Sequence, residues 1–190
     1  VEGRELAYLK ISDNVSVDET EPEVCFDGGY HGDEVGAAEN LIRFARDICL
    51  AYGDDETITD LIDNHEIFLY VMVNPDGRYH DTRYNVNGID LNRDFGYMWD
   101  GAGGSPTFYS QIESKVFRDF VLSNQFTIQI TYHSGIEYII YPWGYRASYT
   151  PDHNHLDFLG DFYAEQSGYG YIPVGPINTS LYGVNGGSSD

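Results

Sequence analysis

Apolar residues in this chain gather into short blocks separated by turns rich in Gly, Asn and Asp, and their spacing changes from block to block. Residues 6–11 and 24–26 read as short strands. After Gly28-Gly29, residues Ala38, Leu41, Ile42, Ala45, Ile48 and Cys49 recur along one stripe, the period of an amphipathic helix. A weaker helical pattern covers residues 57–64. Residues 67–73 are apolar at every position and stop at Asn74-Pro75-Asp76-Gly77, a turn signal. A run without polar alternation predicts a strand buried on both faces, as at the centre of an α/β sheet.

Further along, Ser110-Gln111-Ile112-Glu113 reads as a capping box opening a helix, with Val116, Phe117, Phe120 and Val121 turned inward. Residues 126–132 alternate like a strand and run into His133. A strand at 138–141 and a helix at about 156–167 follow. Between residues 77 and 107 no period is visible, and so long a loop in a compact domain is commonly functional. No repeat or linker interrupts the chain, so a single domain over residues 1–190 is expected. Alternating strands and helices with buried strands imply an α/β sandwich. In such sheets ligands lie at the carboxyl ends of strands, which singles out the segments after Phe26, Val73 and Tyr132.

Composition narrows the class of function. Aromatic residues make up 15% of the 190 positions, which argues against disorder. No apolar run reaches the ~18 residues of a membrane span, so no membrane insertion is expected. The formal charge of −21 repels nucleic acid and anionic membrane surfaces. It fits a solubility role in a salty or extracellular setting, or attraction of cations. Lys10 and Lys115 are the only lysines against eight arginines, so the cations are mostly forked donors suited to carboxylates. Cys25 and Cys49 are expected as two buried free thiols, with one disulfide as the alternative.

The strand-end segments hold the reactive side chains. His31 and Glu34 are three apart, so one turn can aim an imidazole and a carboxylate at the same point. His133, just past a strand, completes a set of two His and one Glu, which leaves a fourth position for water as in catalytic zinc sites. A satisfied core histidine is the plainer reading of His133 alone. In the long loop, Arg83, Asp90, Asn92 and Arg93 cluster. Salt bridges to Asp81 or Asp94 would merely pin that loop. The alternative is a carboxylate clamp with a group that stabilises a developing oxyanion. His153 and His155 read as a solvated loop pair.

Four ordered blocks carry a resemblance: Gly29-Tyr30-His31-Gly32-Asp33-Glu34, Asn74-Pro75-Asp76-Gly77, residues 88–95, and Tyr132-His133-Ser134 with Tyr141-Pro142-Trp143-Gly144. Over roughly residues 20–190 the chain resembles zinc metallocarboxypeptidases of the carboxypeptidase A/B type. The resemblance implies a three-layer α/β sandwich, with a central mixed sheet flanked by helices, of the phosphorylase/hydrolase-like kind. It implies Zn2+ held by His31, Glu34 and His133, with Asp90 orienting one zinc-bound imidazole. Arg83 falls at the oxyanion-stabilising arginine, and Asn92 and Arg93 at the pair that binds the C-terminal carboxylate. Ile140 and Gly144 fall near the specificity pocket. Asp94 stands where the family commonly has Asn, a subgroup variation.

The family's general-base glutamate follows its Gly-Gly-Ser-x-Asp block, which here is Gly186-Gly187-Ser188-Ser189-Asp190. A domain truncated at the C-terminus and at the N-terminus is therefore expected, binding zinc but turning over poorly. Glu113, Glu137 and Glu165 lie in no context resembling that base. The expected substrate is a peptide, or a peptidoglycan-type peptide, with a free C-terminal carboxylate, and the expected location is secreted or periplasmic. The competing readings are an acylase-type amidohydrolase of the same fold and a non-catalytic zinc- and peptide-binding module.

Overall fold

In a computed structural model that describes residues 2–168 and 172–190, the chain divides into two units. One holds residues 1–88 and 111–134, the other residues 89–110 and 135–190.

The first unit is built on a four-stranded mixed sheet. Its strands are β1 (Leu9–Ile11), β2 (Glu23–Gly28), β3 (Glu66–Tyr70) and β4 (Phe126–Tyr132), in the order β1-β3-β2-β4. β1 runs antiparallel to β3, while β3, β2 and β4 are mutually parallel. The unbroken apolar run accordingly supplies β3, which lies inside the sheet and is buried at every residue. Alternation along β3 sends Ile67 and Leu69 to one face, where they meet Leu41, Ala45 and Ile48 of α1 (Val35–Ala51) and Ile62 of α2 (Glu56–Asp63). Asp55 caps α2 by accepting from the backbone N–H groups of Thr57 and Ile58. The short helix α3 (Pro75–Tyr79) follows β3, capped by Asn74, whose Oδ1 accepts from Gly77 N at 2.9 Å.

Phe68 and Tyr70 point to the opposite face. There they form an aromatic layer with Phe117 and Phe120 of α4 (Ile112–Ser123), and the Tyr70 ring lies 5.1 Å from Phe117 and 5.2 Å from Phe120. Helices thus cover both faces of the mixed sheet, the three layers the resemblance implied. Full burial of a side chain the size of Leu41 or Leu69 contributes about 2 kcal/mol.

Three expectations are corrected here. The buried arc of α1 is centred on Leu41 and Ile48 and bordered by Ala37 and Ala38. Ile42 and Cys49 lie past its edge and are exposed. Both cysteines are free thiols, Cys25 buried in β2 and Cys49 exposed, so the pair is neither disulfide-bonded nor jointly buried. Ser110 opens no capping box, because Gln111 occupies the N-cap of α4 without a side-chain cap bond. The Ser110 hydroxyl donates instead to Asp94 Oδ1 at 2.8 Å.

The second unit contains a 3₁₀ turn at Leu91–Arg93 and a parallel pair, β5 (Ile139–Tyr141) with β6 (Val174–Pro176). It also contains α5 (His153–Gln166) and α6 (Ile177–Ser180). β6 and α6 are too short to show a period and were not expected. His153 and His155 are helical rather than in a loop. α5 begins at His153, whose ring stacks on Tyr149 at 4.3 Å.

Candidate metal centre

Two parallel neighbours in the sheet deliver three donor groups to one edge. β2 ends at Gly28, and the turn beyond it carries His31 and Glu34; β4 ends at Tyr132, directly before His133. Each of the three side chains offers a ligand atom, and these atoms lie within 4.8 Å of one another. Glu34 is the hub. Its Oε1 is 2.7 Å from His31 Nδ1 and its Oε2 is 2.7 Å from His133 Nδ1. The two imidazole rings are 4.9 Å apart. Burial opposes ionisation of Glu34, but hydrogen bonds to His133 and His31 outweigh it and draw its carboxyl down to about 2.

Backbone packing holds the turn in place. Gly29 adopts a φ of +71°, a conformation side chains rarely take, and lies close against Met72. At Gly32 no side chain fits, because a Cβ would land on the backbone of Gly77 and Arg78. Ser134 closes the other side, donating its backbone N–H to Glu34 Oε2 at 3.2 Å and accepting from Ala37 N through its hydroxyl.

Arg83 also reaches this cluster. Its Nη1 lies 3.2 Å from His31 Nδ1 and 3.9 Å from Glu34 Oε1, while Asp81 pairs with Arg78. His31 Nδ1 therefore stands between a guanidinium that only donates and a carboxylate that only accepts, and one proton state cannot satisfy both. A metal cation where the imidazole lone pairs and the carboxylate converge removes that conflict. Two imidazoles and one carboxylate are also an established donor set for zinc with a position left open. The residues present fit the ion.

Several supporting residues escaped the sequence reading. Tyr30 stacks on His133 with ring centroids 5.7 Å apart. The Tyr30 hydroxyl donates to Asp27 Oδ1 at 2.8 Å, and Gln129 Nε2 donates to Asp27 Oδ2 at 2.7 Å. Burial raises the Asp27 carboxyl to about 6 against the lowering effect of these donors. Asn74, noted only as part of a turn, donates to the carbonyls of Tyr30 and Arg83 and so ties the His31 turn to the Arg83 loop. A polar residue inside an apolar strand, Asp27, was the available signal.

The remaining expected site residues belong to the second unit. Asp90 caps the 3₁₀ turn by accepting from Asn92 N at 3.0 Å. Asn92 Oδ1 accepts from both the backbone N–H and the hydroxyl of Ser188. Arg93 donates to the Asn92 carbonyl at 2.7 Å, and its guanidinium lies 5.9 Å from the centre of the Tyr182 ring. The Asp94 carboxylate takes the backbone and hydroxyl donors of Ser110.

Comparison with known proteins gives a consistent picture. A family profile described as zinc carboxypeptidase matches residues 1–190. Carboxypeptidase A1 from Bos taurus is 31% identical over 217 aligned residues, covering 100% of this chain and 51% of that protein. A zinc carboxypeptidase from Saccharothrix mutabilis subsp. capreolus is 30% identical, covering 97% of this chain and 52% of that protein. The crystal structure of carboxypeptidase A from Helicoverpa armigera superposes with a TM-score of 0.85 at 26% identity, over 100% of this chain and 53% of that one. The chain thus spans about half the length of the curated relatives it matches.

Proposed function

The chain belongs to the zinc carboxypeptidase family, and on that premise we propose that it carries the zinc centre of an enzyme that hydrolyses the C-terminal bond of peptides. The observation that carries this reading is the convergence of His31, Glu34 and His133 on one point beside Arg83. His31 and His133 bind the ion through imidazole nitrogen, and Glu34 through a carboxylate already ionised at neutral pH. Zinc in such a set lowers the pKa of bound water toward ~7 and polarises a carbonyl.

The chain's own groups supply the rest. Arg83 presents a permanent charge next to the donor set, where it stabilises an oxyanion developing on a scissile carbonyl. Loss of one such donor costs about 3 kcal/mol of transition-state stabilisation. Arg93, with its planar fork, and Asn92 grip the substrate's terminal carboxylate, which makes the enzyme select chain ends. Asp90 orients a ligating imidazole. These three roles rest on the matching of residues 88–95 to the family's block. The substrate is a peptide, or a peptidoglycan-type peptide, with a free C-terminal carboxylate, encountered in a secreted or periplasmic setting. Glu113, Glu137 and Glu165 lie in no context resembling the family's general base, and the reading for these 190 residues by themselves is zinc binding with little turnover. Among the described residues, no helix is long and apolar enough to cross a membrane.

Metal analysis of the purified chain tests the reading. About one zinc per chain, lost in His31→Ala, is the expected result. A folded chain that takes up no zinc refutes it. In the zinc-loaded chain, a peptide with a free C-terminus should bind more tightly than its C-terminal amide, and Arg93→Ala should abolish the preference.

A further inference from the structure

A carboxylate buried inside a sheet is costly, and Asp27, near the end of β2, is fully buried. It sits where the two segments that carry the proposed zinc ligands meet. Tyr30, directly before His31, donates its hydroxyl to Asp27 Oδ1 at 2.8 Å. Gln129 of β4, four residues before His133, donates to Asp27 Oδ2 at 2.7 Å. Asp27 also lies opposite Thr131 in the β2–β4 ladder. Tyr30 is buried as completely as Asp27. Its ring meets Phe117 in an edge contact at 5.6 Å and stacks on His133, with the planes 25° apart and the centroids 5.7 Å apart. The Tyr30 ring is thus pinned at its hydroxyl while one face lies along the imidazole.

We propose that Tyr30, anchored by Asp27, is a positioning residue for His133 and sets the plane in which that imidazole presents its nitrogen. The role rests on the zinc reading above. Glu34 Oε2, 2.7 Å from His133 Nδ1, holds one atom of the ring, and such a contact by itself does not fix the ring plane. The torsion that turns a histidine ring is intrinsically broad, and the His133 side chain is partly exposed, so a rigid wall along one face narrows it. The orientation matters because the groups behind a ligating imidazole tune its hold on the metal. Anchoring also gives the buried charge a purpose. Apolar groups in place of the Asp27 carboxylate and the Tyr30 hydroxyl would be cheaper to bury, but the ring would lose its tether to β2 and β4.

Two measurements on the whole chain test the role: zinc affinity by competition with a chromogenic chelator, and the visible absorption bands of the chain loaded with Co2+ in place of zinc. Tyr30→Leu should weaken zinc binding about 10–100-fold and change the cobalt bands. Tyr30→Phe keeps the buried ring, so it carries the test even if Tyr30→Leu does not fold; it should change both readouts in the same direction by less. Asp27→Asn retains an oxygen that accepts from the Tyr30 hydroxyl, and Gln129 can turn its amide to meet the new NH2 group, so this variant should bind zinc as the original chain does. Asp27→Leu, which has no acceptor, should behave like Tyr30→Phe. Tyr70→Phe is the control. Tyr70 lies in the same aromatic layer, 5.1 Å from Phe117, and its hydroxyl has no partner, so its loss should leave both readouts unchanged. A folded Tyr30→Phe that matches the original in affinity and spectrum overturns the role, as does a Tyr70→Phe chain that changes both as much. An original chain that binds neither zinc nor cobalt overturns the zinc reading itself, and the role of Tyr30 with it.

Discussion

Gly32 sits between two proposed zinc ligands, and replacing it with Ala tests whether packing of the turn sets the metal geometry. An added Cβ would fall on the backbone of Gly77 and Arg78, where no flexible side-chain end can yield. Restoring ordinary carbon contact at ~3.5 Å requires the His31–Glu34 turn to move away from α3 by on the order of 1 Å. Zinc–ligand distances tolerate only about 0.2 Å, so a shift of that size carries His31 and Glu34 out of reach of an ion they would share with His133. The overpacking itself costs about 1–3 kcal/mol, or roughly 2–12 °C of melting temperature in a chain of this size. Zinc affinity should fall at least as far as the ~10–100-fold loss produced by disturbing residues behind a metal ligand. Competition titration against a chromogenic chelator, with a melt of the same preparation, measures both. Gly53→Ala is the control: it introduces backbone strain at φ +84° but meets nothing within 4 Å, so it should lower stability and leave zinc affinity alone. A Gly32→Ala chain that binds zinc as tightly as the original refutes the claim that this close approach positions the ligands.

The other predictions are shorter. Glu34→Gln should lose zinc while Arg83→Ala keeps about one ion per chain, because only the first removes a donor; zinc lost from both would make Arg83 part of the ion's support. The Asp27 carboxyl, raised to about 6 when folded against ~3.9 unfolded, contributes a penalty absent below about pH 4 and fully present above about pH 6. Asp27→Asn should therefore gain about 3 kcal/mol relative to the original chain between those limits, read from urea unfolding across pH, and parallel profiles would refute this. Leu41→Ala, under the sheet in the α1 layer, should cost about 2–5 kcal/mol without changing zinc stoichiometry. A loss under 1 kcal/mol would mean that α1 is not anchored there.

What was legible in the sequence follows from how local the governing physics is. The run through Ile67 and Leu69 announced a buried strand because full burial removes polar alternation. His31 and Glu34 announced a site because three residues of turn suffice to bring them together. Legibility failed where the outcome depended on distant partners. Ile42 and Cys49 match the periodicity of α1, yet which side of a wide stripe faces the sheet is decided by the packing of α1 against β3. Ser110 has the right spacing from Glu113 for a capping box, but Asp94 captures its hydroxyl. Asp27 was visible as a charge in an apolar strand, while its partners, Tyr30 and Gln129, come from a turn and from the neighbouring strand.

The pairing of β2 with β4 explains how two distant parts of the chain bring His31, Glu34 and His133 together. Glu23 pairs with Phe126, but Val24 pairs with Ile128, so β4 carries one extra residue at the start of the ladder. From there the register is regular and ends with Gly28 opposite Tyr132. Without the extra residue, Gly28 would face Thr131, and His133 would emerge one step later with its side chain on the other face of the sheet, since side chains alternate along a strand. The irregularity at the far end of the sheet is thus what aligns His133 with the turn that carries His31 and Glu34. It is tolerated there because Glu23 Oε2 accepts the backbone N–H of Gln125, just before β4 begins. The geometry of the metal centre is in this sense set at the opposite end of the strands that carry it.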